Sequence, residues 1–225
     1  MTGVNQKKEG FKKFEFVELS TKEQQTKSAE FFRTMNQRRS LRHFSDRPIP
    51  DGVIENIIKA ASTAPSGAHK QPWFFAVVTS AEMKKKIKEA AEKEEYENYH
   101  GRMSEEWLED LQKFDTNWQK PFLEIAPVLI VVFKKTYELE ENGKSKNYYV
   151  NESVGIATGI LIAAIQQSGL VGLTHTPSPL NFLSDLLHRP KNEKPYLLIP
   201  IGYPAENAQV PKLKRKGLNE IMGRY

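Results

Sequence analysis

The side chains best suited to chemistry in this chain are three arginines and a serine close together: Arg38, Arg39, Ser40 and Arg42. A guanidinium presents a rigid fork of N–H donors that matches phosphate oxygens, and a serine hydroxyl adds another donor. The cluster could therefore enclose one phosphate dianion. A basic turn exposed to solvent would contain the same residues, so the spacing alone leaves both interpretations open.

The distribution of charge bears on the kind of ligand. The chain has 225 residues, a formal net charge of +5 and a pI near 9.2. Its basic residues concentrate in two islands, residues 38–42 and 212–216, far apart in sequence. Nucleic-acid binders usually show a broader basic stripe, often with interleaved aromatic residues. The two islands favour a small phosphate-bearing ligand, and we predict no nucleic-acid partner.

Several chemistries are excluded by composition and motif. The chain has no cysteine, which rules out disulfides, thiolate metal ligands and thiol nucleophiles. Its five histidines lack the spacing of metal ligands, so we predict no metal site. No G-x-S-x-G, G-x-G-x-x-G or P-loop motif occurs. What remains suits a bound organic cofactor better than catalysis by side chains alone.

The elements that would position these residues mix helices and strands without a repeat. Continuous apolar runs predict buried strands at 73–78, 128–133 and 196–204, and a shorter strand ends at Thr174, His175 and Thr176. Helices are predicted at 28–36, with Phe31, Phe32 and Met35 facing inward, at 53–61 with Asp51 as N-cap, and at 180–187. The loop Pro65, Ser66, Gly67, Ala68 allows close backbone approach to a flat ligand, although an ordinary turn would look the same. The 140s are expected to form a charged loop with a turn at Asn142-Gly143.

The stretch 150–168 is predicted to be the central helix, because it is apolar on nearly every face and must therefore be buried. Gly155 and Gly159 each cost roughly 1 kcal/mol relative to alanine, so close approach of another backbone or helix is expected there. An ordinary buried helix fits about as well. The run is too short and too interrupted to span a membrane, and the N-terminus shows no apolar anchor. We therefore expect no membrane partner and a soluble, cytoplasmic protein.

Residues 81–120 are the most polar third of the chain, and about 88–120 are predicted to form a lid. Glu95 and Tyr99 are four residues apart, on one helical face, and Lys120 follows a second amphipathic piece. Taken on their own, these three read as surface residues.

A family resemblance emerges from NQRRSLRHF, ASTAPSGAHKQPW, EIAPVLIVVF, NESVGIATGILIAAIQQSGL and PIGYPAENAQVPKLKRKGL, in that order. Together they resemble the FMN-dependent nitroreductase superfamily and, within it, the iodotyrosine deiodinase family. The resemblance runs from about Ser28 to Met222. It implies a polar arm at 1–27 and, at 28–225, an α+β nitroreductase-like domain with a mostly antiparallel central sheet flanked by helices. It also implies an intertwined homodimer that holds FMN at two sites in its interface.

The resemblance also implies residue roles. The residues expected at FMN are Arg38, Arg39, Ser40, Leu41, Arg42, Pro65, Ser66, Gly67, Thr174, His175, Thr176 and Arg215. The Thr176 hydroxyl would reach flavin N5 and be the catalytic group. Glu95 would bind the ammonium of a halotyrosine and Lys120 its carboxylate. Tyr99 would pack and hydrogen-bond beside them, and the Ala68 amide would hold the phenolate.

The implied activity is reductive removal of iodide from mono- and diiodotyrosine in one-electron steps through the flavin semiquinone. The electrons would come from NAD(P)H, directly or through a reductase. Two other functions remain open: a general NAD(P)H-dependent nitro or flavin reductase, and a non-catalytic flavin-binding protein. His175 departs from the family pattern, since animal members have threonine at that position.

Overall fold

A computed structural model describes residues 10–225, and the chain divides into two units, one ending at Gln37 and one spanning Arg38–Tyr225. The first unit contains α1, Thr21–Gln37, which begins earlier than the predicted start at Ser28. The prediction that Phe31 and Phe32 face inward is wrong for the single chain, because they are 58% and 66% exposed. Helix α1 has no buried residue.

The second unit is built on a four-stranded antiparallel sheet with strand order β1-β2-β6-β5. Its strands are β1, Trp73–Val78; β2, Val128–Lys135; β5, Val171–Gly172; and β6, Glu193–Gly202. The predicted α+β class with a mostly antiparallel sheet is confirmed. The β5 strand stops at Gly172, earlier than predicted, and the chain rejoins the sheet at one bridge between His175 and Leu198.

Helices cover both faces of this sheet. They are α2, Val53–Ala61; α3, Ala81–Glu97; α4, Glu105–Gln112; α5, Phe122–Ile125; α6, Val150–Gln167; α7, Phe182–Leu186; and α8, Leu218–Ile221. Because side chains alternate along a strand, β2 sends Val128, Ile130 and Val132 into a core with α2 and α6. Its other face sends Leu129, Val131 and Phe133 into a core with α3, α5 and α7. Burial on both faces explains why β2 reads as one apolar run.

Two local predictions are corrected by the structure. The 140s form a hairpin of β3, Tyr137–Glu140, and β4, Gly143–Lys146, where we expected a charged loop. Its turn ends at Gly143, whose φ of 126° is accessible to glycine at little cost. Helix α2 is capped by Gly52 at φ 78° with no side-chain cap hydrogen bond, so Asp51 is not its N-cap.

The central helix α6 is buried on one face only. Its buried residues are Ser153, Val154, Ala157, Thr158, Leu161 and Ile165. On the opposite face Ile156 is 46% exposed, and a Cβ built on Gly159 would meet nothing within 4 Å. The prediction of full burial is therefore wrong for the single chain, because an apolar face remains uncovered. Among residues 10–225, no helix is both long and apolar enough to cross a membrane.

Candidate functional site

The first cavity of interest is lined by residues of both basic islands, which are far apart in the sequence. It measures about 260 Å³ and is lined by Arg38, Arg39, Ser40, Arg42, Phe114, Pro211, Leu213, Lys214 and Arg215. The Arg215 guanidinium donates to the Arg38 carbonyl at 2.8 Å, and the Arg39 guanidinium donates to the Pro211 carbonyl. We call this cavity the basic cradle.

The electrostatics of the basic cradle favour an anion. Burial lowers the pKa of Arg38, and the neighbouring charges of Arg215 and Arg39 lower it further. Within residues 10–225, the ion pairs include none formed by Arg38, Arg39 or Arg42. Like charges gathered without carboxylates repel one another, and a bound dianion would relieve that repulsion. The donor set therefore suits a phosphate group.

Leu41 lies between these basic residues but points elsewhere. Its side chain is 5% exposed, and its amide donates to the Gly172 carbonyl of β5 at 3.4 Å. Ser40 forms a parallel bridge with Gly172. This attachment to the sheet edge holds Ser40 and Arg42 at the wall of the basic cradle while Leu41 faces inward.

The second cavity lies next to the basic cradle and shares Arg42 with it. It measures about 190 Å³ and is lined by Arg42, Glu95, Tyr99, Met103, Trp107, Leu111, Thr116, Lys120, Phe122, Leu173, Thr174, His175 and Thr176. Glu95 comes from α3, Tyr99 from a π-helical turn at Asn98–Arg102, and Lys120 from the segment just before α5. Three residues that look like surface positions in the sequence are thus brought together. We call this cavity the lid pocket.

Two opposite charges are enclosed in the lid pocket. The Lys120 ammonium lies 3.6 Å from a Glu95 carboxylate oxygen, and these side chains are 4% and 8% exposed. Burial raises the pKa of Glu95 and lowers that of Lys120, and their mutual attraction opposes both shifts. The Lys120 ammonium also lies 5.2 Å from the centre of the Tyr99 ring. A buried pair of this kind is costly to separate unless each charge gains a new partner.

The segment Leu173–Thr176 presents alternate side chains to opposite sides. Thr174 and Thr176 are exposed, whereas Leu173 and His175 are buried. Both threonine hydroxyls therefore belong to the accessible wall of the lid pocket. Thr174 also lines a third, smaller cavity together with Arg38 of the basic cradle.

The loop Pro65, Ser66, Gly67, Ala68 lines neither the basic cradle nor the lid pocket. It rests instead on the start of α6, where the Gly67 amide donates to the Ser153 hydroxyl at 3.4 Å. A Cβ on Gly67 would lie 2.7 Å from the Tyr148 carbonyl, so the close approach requires glycine. The single chain therefore brings the other predicted site residues together but leaves this loop apart.

Other residues of the site carried no sequence signal or only a weak one. The Asn98 side chain donates to the Ser178 carbonyl at 2.9 Å and ties the turn Asn98–Arg102 to the segment that carries Thr176. The Arg42 guanidinium lies 5.5 Å from the centre of the Phe114 ring. Phe114 was visible as part of an amphipathic piece, but nothing in the sequence pointed to Asn98, Met103 or Thr116.

Metal chemistry finds no support in the described part of the chain. Among residues 10–225, no three or more His, Asp or Glu side chains are grouped so that they could hold a metal ion. The arrangement instead offers an anion-binding cradle beside a pocket with one acidic, one basic and two hydroxyl groups. It is suited to two organic ligands, of which one carries phosphate.

Comparisons with known proteins agree with this description. The model of the nitroreductase family matches residues 35–203. An iodotyrosine deiodinase of Haliscomenobacter hydrossis is 61% identical over 93% of this chain and 95% of its own length. The human iodotyrosine deiodinase 1 is 49% identical over 89% of this chain and 70% of its own length. A crystal structure of oxidized iodotyrosine deiodinase bound to FMN and 3-iodo-L-tyrosine superposes with a TM-score of 0.73 at 29% identity, covering 87% of this chain and 98% of that one.

Proposed function

Because this chain belongs to the nitroreductase family, we propose that it is an FMN-dependent enzyme that reductively removes iodide from mono- and diiodotyrosine. The observation that carries this proposal is the enclosed Glu95–Lys120 pair next to Thr176 in one pocket. General reduction of nitro compounds or free flavins would not call for buried charges of both signs at the substrate site.

FMN fits the residues that are present. The basic cradle brings Arg38, Arg39 and Arg42 together with Arg215, and a cluster of guanidinium groups is the donor set that a phosphate monoester needs. Arg38, Arg39, Ser40, Arg42 and Arg215 would hold that phosphate. The backbone near Leu41 and the side chains of Thr174 and Thr176 would lie along the remainder of the cofactor. When bound and reduced, FMN would supply electrons to the organic substrate.

The lid pocket fits the zwitterion of an amino acid. Its ammonium group would replace Lys120 as the partner of Glu95, and its carboxylate would replace Glu95 as the partner of Lys120. Each buried charge would then exchange one ion pair for another, so the desolvation of Glu95 and Lys120 is already present in the free protein. This exchange supports an α-amino acid as substrate and gives Tyr99 a place against the same group.

The reaction itself replaces a C–I bond with a C–H bond, consumes two electrons and one proton, and releases iodide. The Thr176 hydroxyl would donate a hydrogen bond at flavin N5, and the Ala68 amide, contributed by a second copy of the chain, would hold the phenolate oxygen. Met103, Trp107 and Leu111 would exclude water from the pocket as the lid, residues 88–120, covers the substrate. We propose NAD(P)H, used directly or through a reductase, as the source of the electrons.

The direct test is turnover of the FMN-loaded protein. With dithionite as reductant and 3-iodotyrosine as substrate, we expect stoichiometric release of iodide and formation of tyrosine. Nitrobenzene with NADH serves as the comparison reaction. Faster reduction of nitrobenzene than of 3-iodotyrosine would favour the general reductase, and no turnover of either would favour a flavin-binding protein.

We also propose that the active form is a homodimer with its sites at the interface. Two features support this. The face of α6 around Ile156 and Gly159 is apolar and uncovered in one chain. The loop Pro65–Ala68 lines neither cavity of its own chain, so it would have to reach the cofactor of a second copy.

A charge on that face of α6 is expected to separate the subunits. The Ile156→Glu variant should shift toward monomer in analytical ultracentrifugation and bind FMN at least about tenfold more weakly, because burying an unpaired carboxylate is costly. The matched control is Leu139→Glu on β3, where the leucine is 63% exposed. A monomeric wild-type protein that binds FMN with unchanged 1:1 stoichiometry would contradict the dimer.

A further inference from the structure

His175 contains a buried polar atom that the proposed activity has not yet used. Its Nε2 is enclosed and has no hydrogen-bond partner among the described residues. The residue is 8% exposed and lines the lid pocket. An unsatisfied nitrogen in such a place costs roughly 1–3 kcal/mol, so its retention calls for an explanation.

The side chain of His175 points in a different direction from those of its neighbours Thr174 and Thr176. Its backbone is held against Leu198 by hydrogen bonds of 2.8 and 3.0 Å. Because alternate side chains in an extended segment point to opposite sides, His175 points away from the side that exposes Thr174 and Thr176. Its ring meets Phe122 edge to face, with centroids 5.5 Å apart. The His175 side chain therefore points toward Phe122, at the start of α5.

The polar atom that faces this nitrogen belongs to Glu95. The distance from His175 Nε2 to Glu95 Oε1 is 3.9 Å, which is about 1 Å longer than a hydrogen bond. The other charged groups near the ring are Lys120 before α5 and Arg42 from the basic cradle. Burial, followed by those two positive charges, lowers the pKa of His175 to about 3. The ring is therefore neutral at physiological pH and carries one N–H.

We propose that His175 is a positioning residue for Glu95: its Nε2–H donates to the Glu95 carboxylate when an amino-acid ligand has drawn Lys120 away. This inference rests on the proposed function. In the free protein Glu95 is paired with Lys120. Once Lys120 turns to the carboxylate of the ligand, Glu95 keeps only the ligand's ammonium, and a buried carboxylate needs further donors to remain ionised. His175 supplies that donor and orients the carboxylate toward the ammonium.

The test compares two substitutions of similar size. His175→Met removes the N–H, whereas His175→Gln places an amide N–H near the position of Nε2. Calorimetric titration of the FMN-loaded proteins would use 3-iodotyrosine and its decarboxylated analogue, 3-iodotyramine, which has no carboxylate to draw Lys120 away from Glu95. We expect His175→Met to weaken binding of 3-iodotyrosine about tenfold and His175→Gln to stay within about threefold of wild type. The affinity for 3-iodotyramine should be equal in all three proteins, because Lys120 stays paired with Glu95.

Two results would overturn the inference. Equal losses for both ligands would assign His175 to packing on Phe122, and no loss in His175→Met would show that the nitrogen is not used. If wild-type protein fails to bind 3-iodotyrosine at all, the proposed function fails first, and that outcome is distinct from either of these.

A measurement on the unaltered protein decides the case in which His175→Met does not fold. In FMN-loaded protein with ¹⁵N-labelled histidine, the His175 resonances should report a neutral ring. They should shift when 3-iodotyrosine is added and shift far less with 3-iodotyramine, which leaves Lys120 on Glu95. Identical shifts for the two ligands would contradict the proposal.

Discussion

Replacement of Glu95 by glutamine is expected to weaken binding of 3-iodotyrosine at least tenfold, or about 1.4 kcal/mol. The variant keeps the size of the side chain but removes the charge that would pair with the ligand's ammonium. It also leaves Lys120 buried without its carboxylate partner. Calorimetric titration of the FMN-loaded protein measures the change directly. Glu97→Gln is the matched control, because Glu97 lies on the same helix and is exposed.

The effect of Glu95 should also depend on pH in a defined direction. Burial raises the pKa of Glu95 above its ordinary value, although Lys120 opposes the shift. The ionised form binds the ammonium, so affinity should be highest above this raised pKa and fall as the pH drops through it. The ratio of wild-type to Glu95→Gln affinity isolates this carboxylate from the titrating phenol of the ligand. An unchanged dissociation constant at neutral pH in Glu95→Gln would remove Glu95 from the substrate site.

Loss of the hydroxyl at position 176 should have the largest effect on turnover. Thr176→Ala is expected to reduce iodide release by roughly 100-fold, the usual scale for removing one donor at a developing charge. Binding of 3-iodotyrosine should change far less, because Glu95 and Lys120 remain. In anaerobic reductive titration with the ligand present, the flavin of the wild-type protein should be reduced in two one-electron stages. The flavin of Thr176→Ala should be reduced in a single two-electron stage.

The matched substitution at this position is Thr176→Ser, which keeps the hydroxyl and removes only a methyl group. It should recover most of the iodide release that alanine loses. Equal activity of the alanine and serine variants would show that the hydroxyl has no part in the reaction.

Much of the fold could be predicted because single segments reveal it. The run 128–133, which forms most of β2, is apolar at every position since both of its faces are buried, and its short length and β-branched residues favour a strand. The hairpin of β3 and β4 was missed, because its strands are short, charged and largely exposed. The faces of α1 and α6 were also misjudged. An apolar stripe predicts burial, but one sequence does not say whether the same chain provides the covering surface.

The site shows the same division between local and distant information. Arg38, Arg39, Ser40 and Arg42 are adjacent in sequence, so their chemistry is visible there. Glu95 and Lys120 lie on separate elements, and only the resemblance to a family of known function identified them in advance. Asn98 and Thr116 are ordinary polar residues in a polar stretch. Their importance comes from the partners that the fold brings to them, which no spacing encodes.

Arg42 forms part of the wall of both cavities, so we expect the binding of the two proposed ligands to be coupled. Its positive charge lowers the pKa of Lys120, and an anion bound beside Arg42 would offset that repulsion and favour the charged lysine. Thermodynamic linkage then requires a reciprocal effect: if FMN strengthens the binding of an amino acid, the amino acid must strengthen the binding of FMN by the same free energy. The Arg42 guanidinium would thus make the affinity for FMN highest when substrate is abundant.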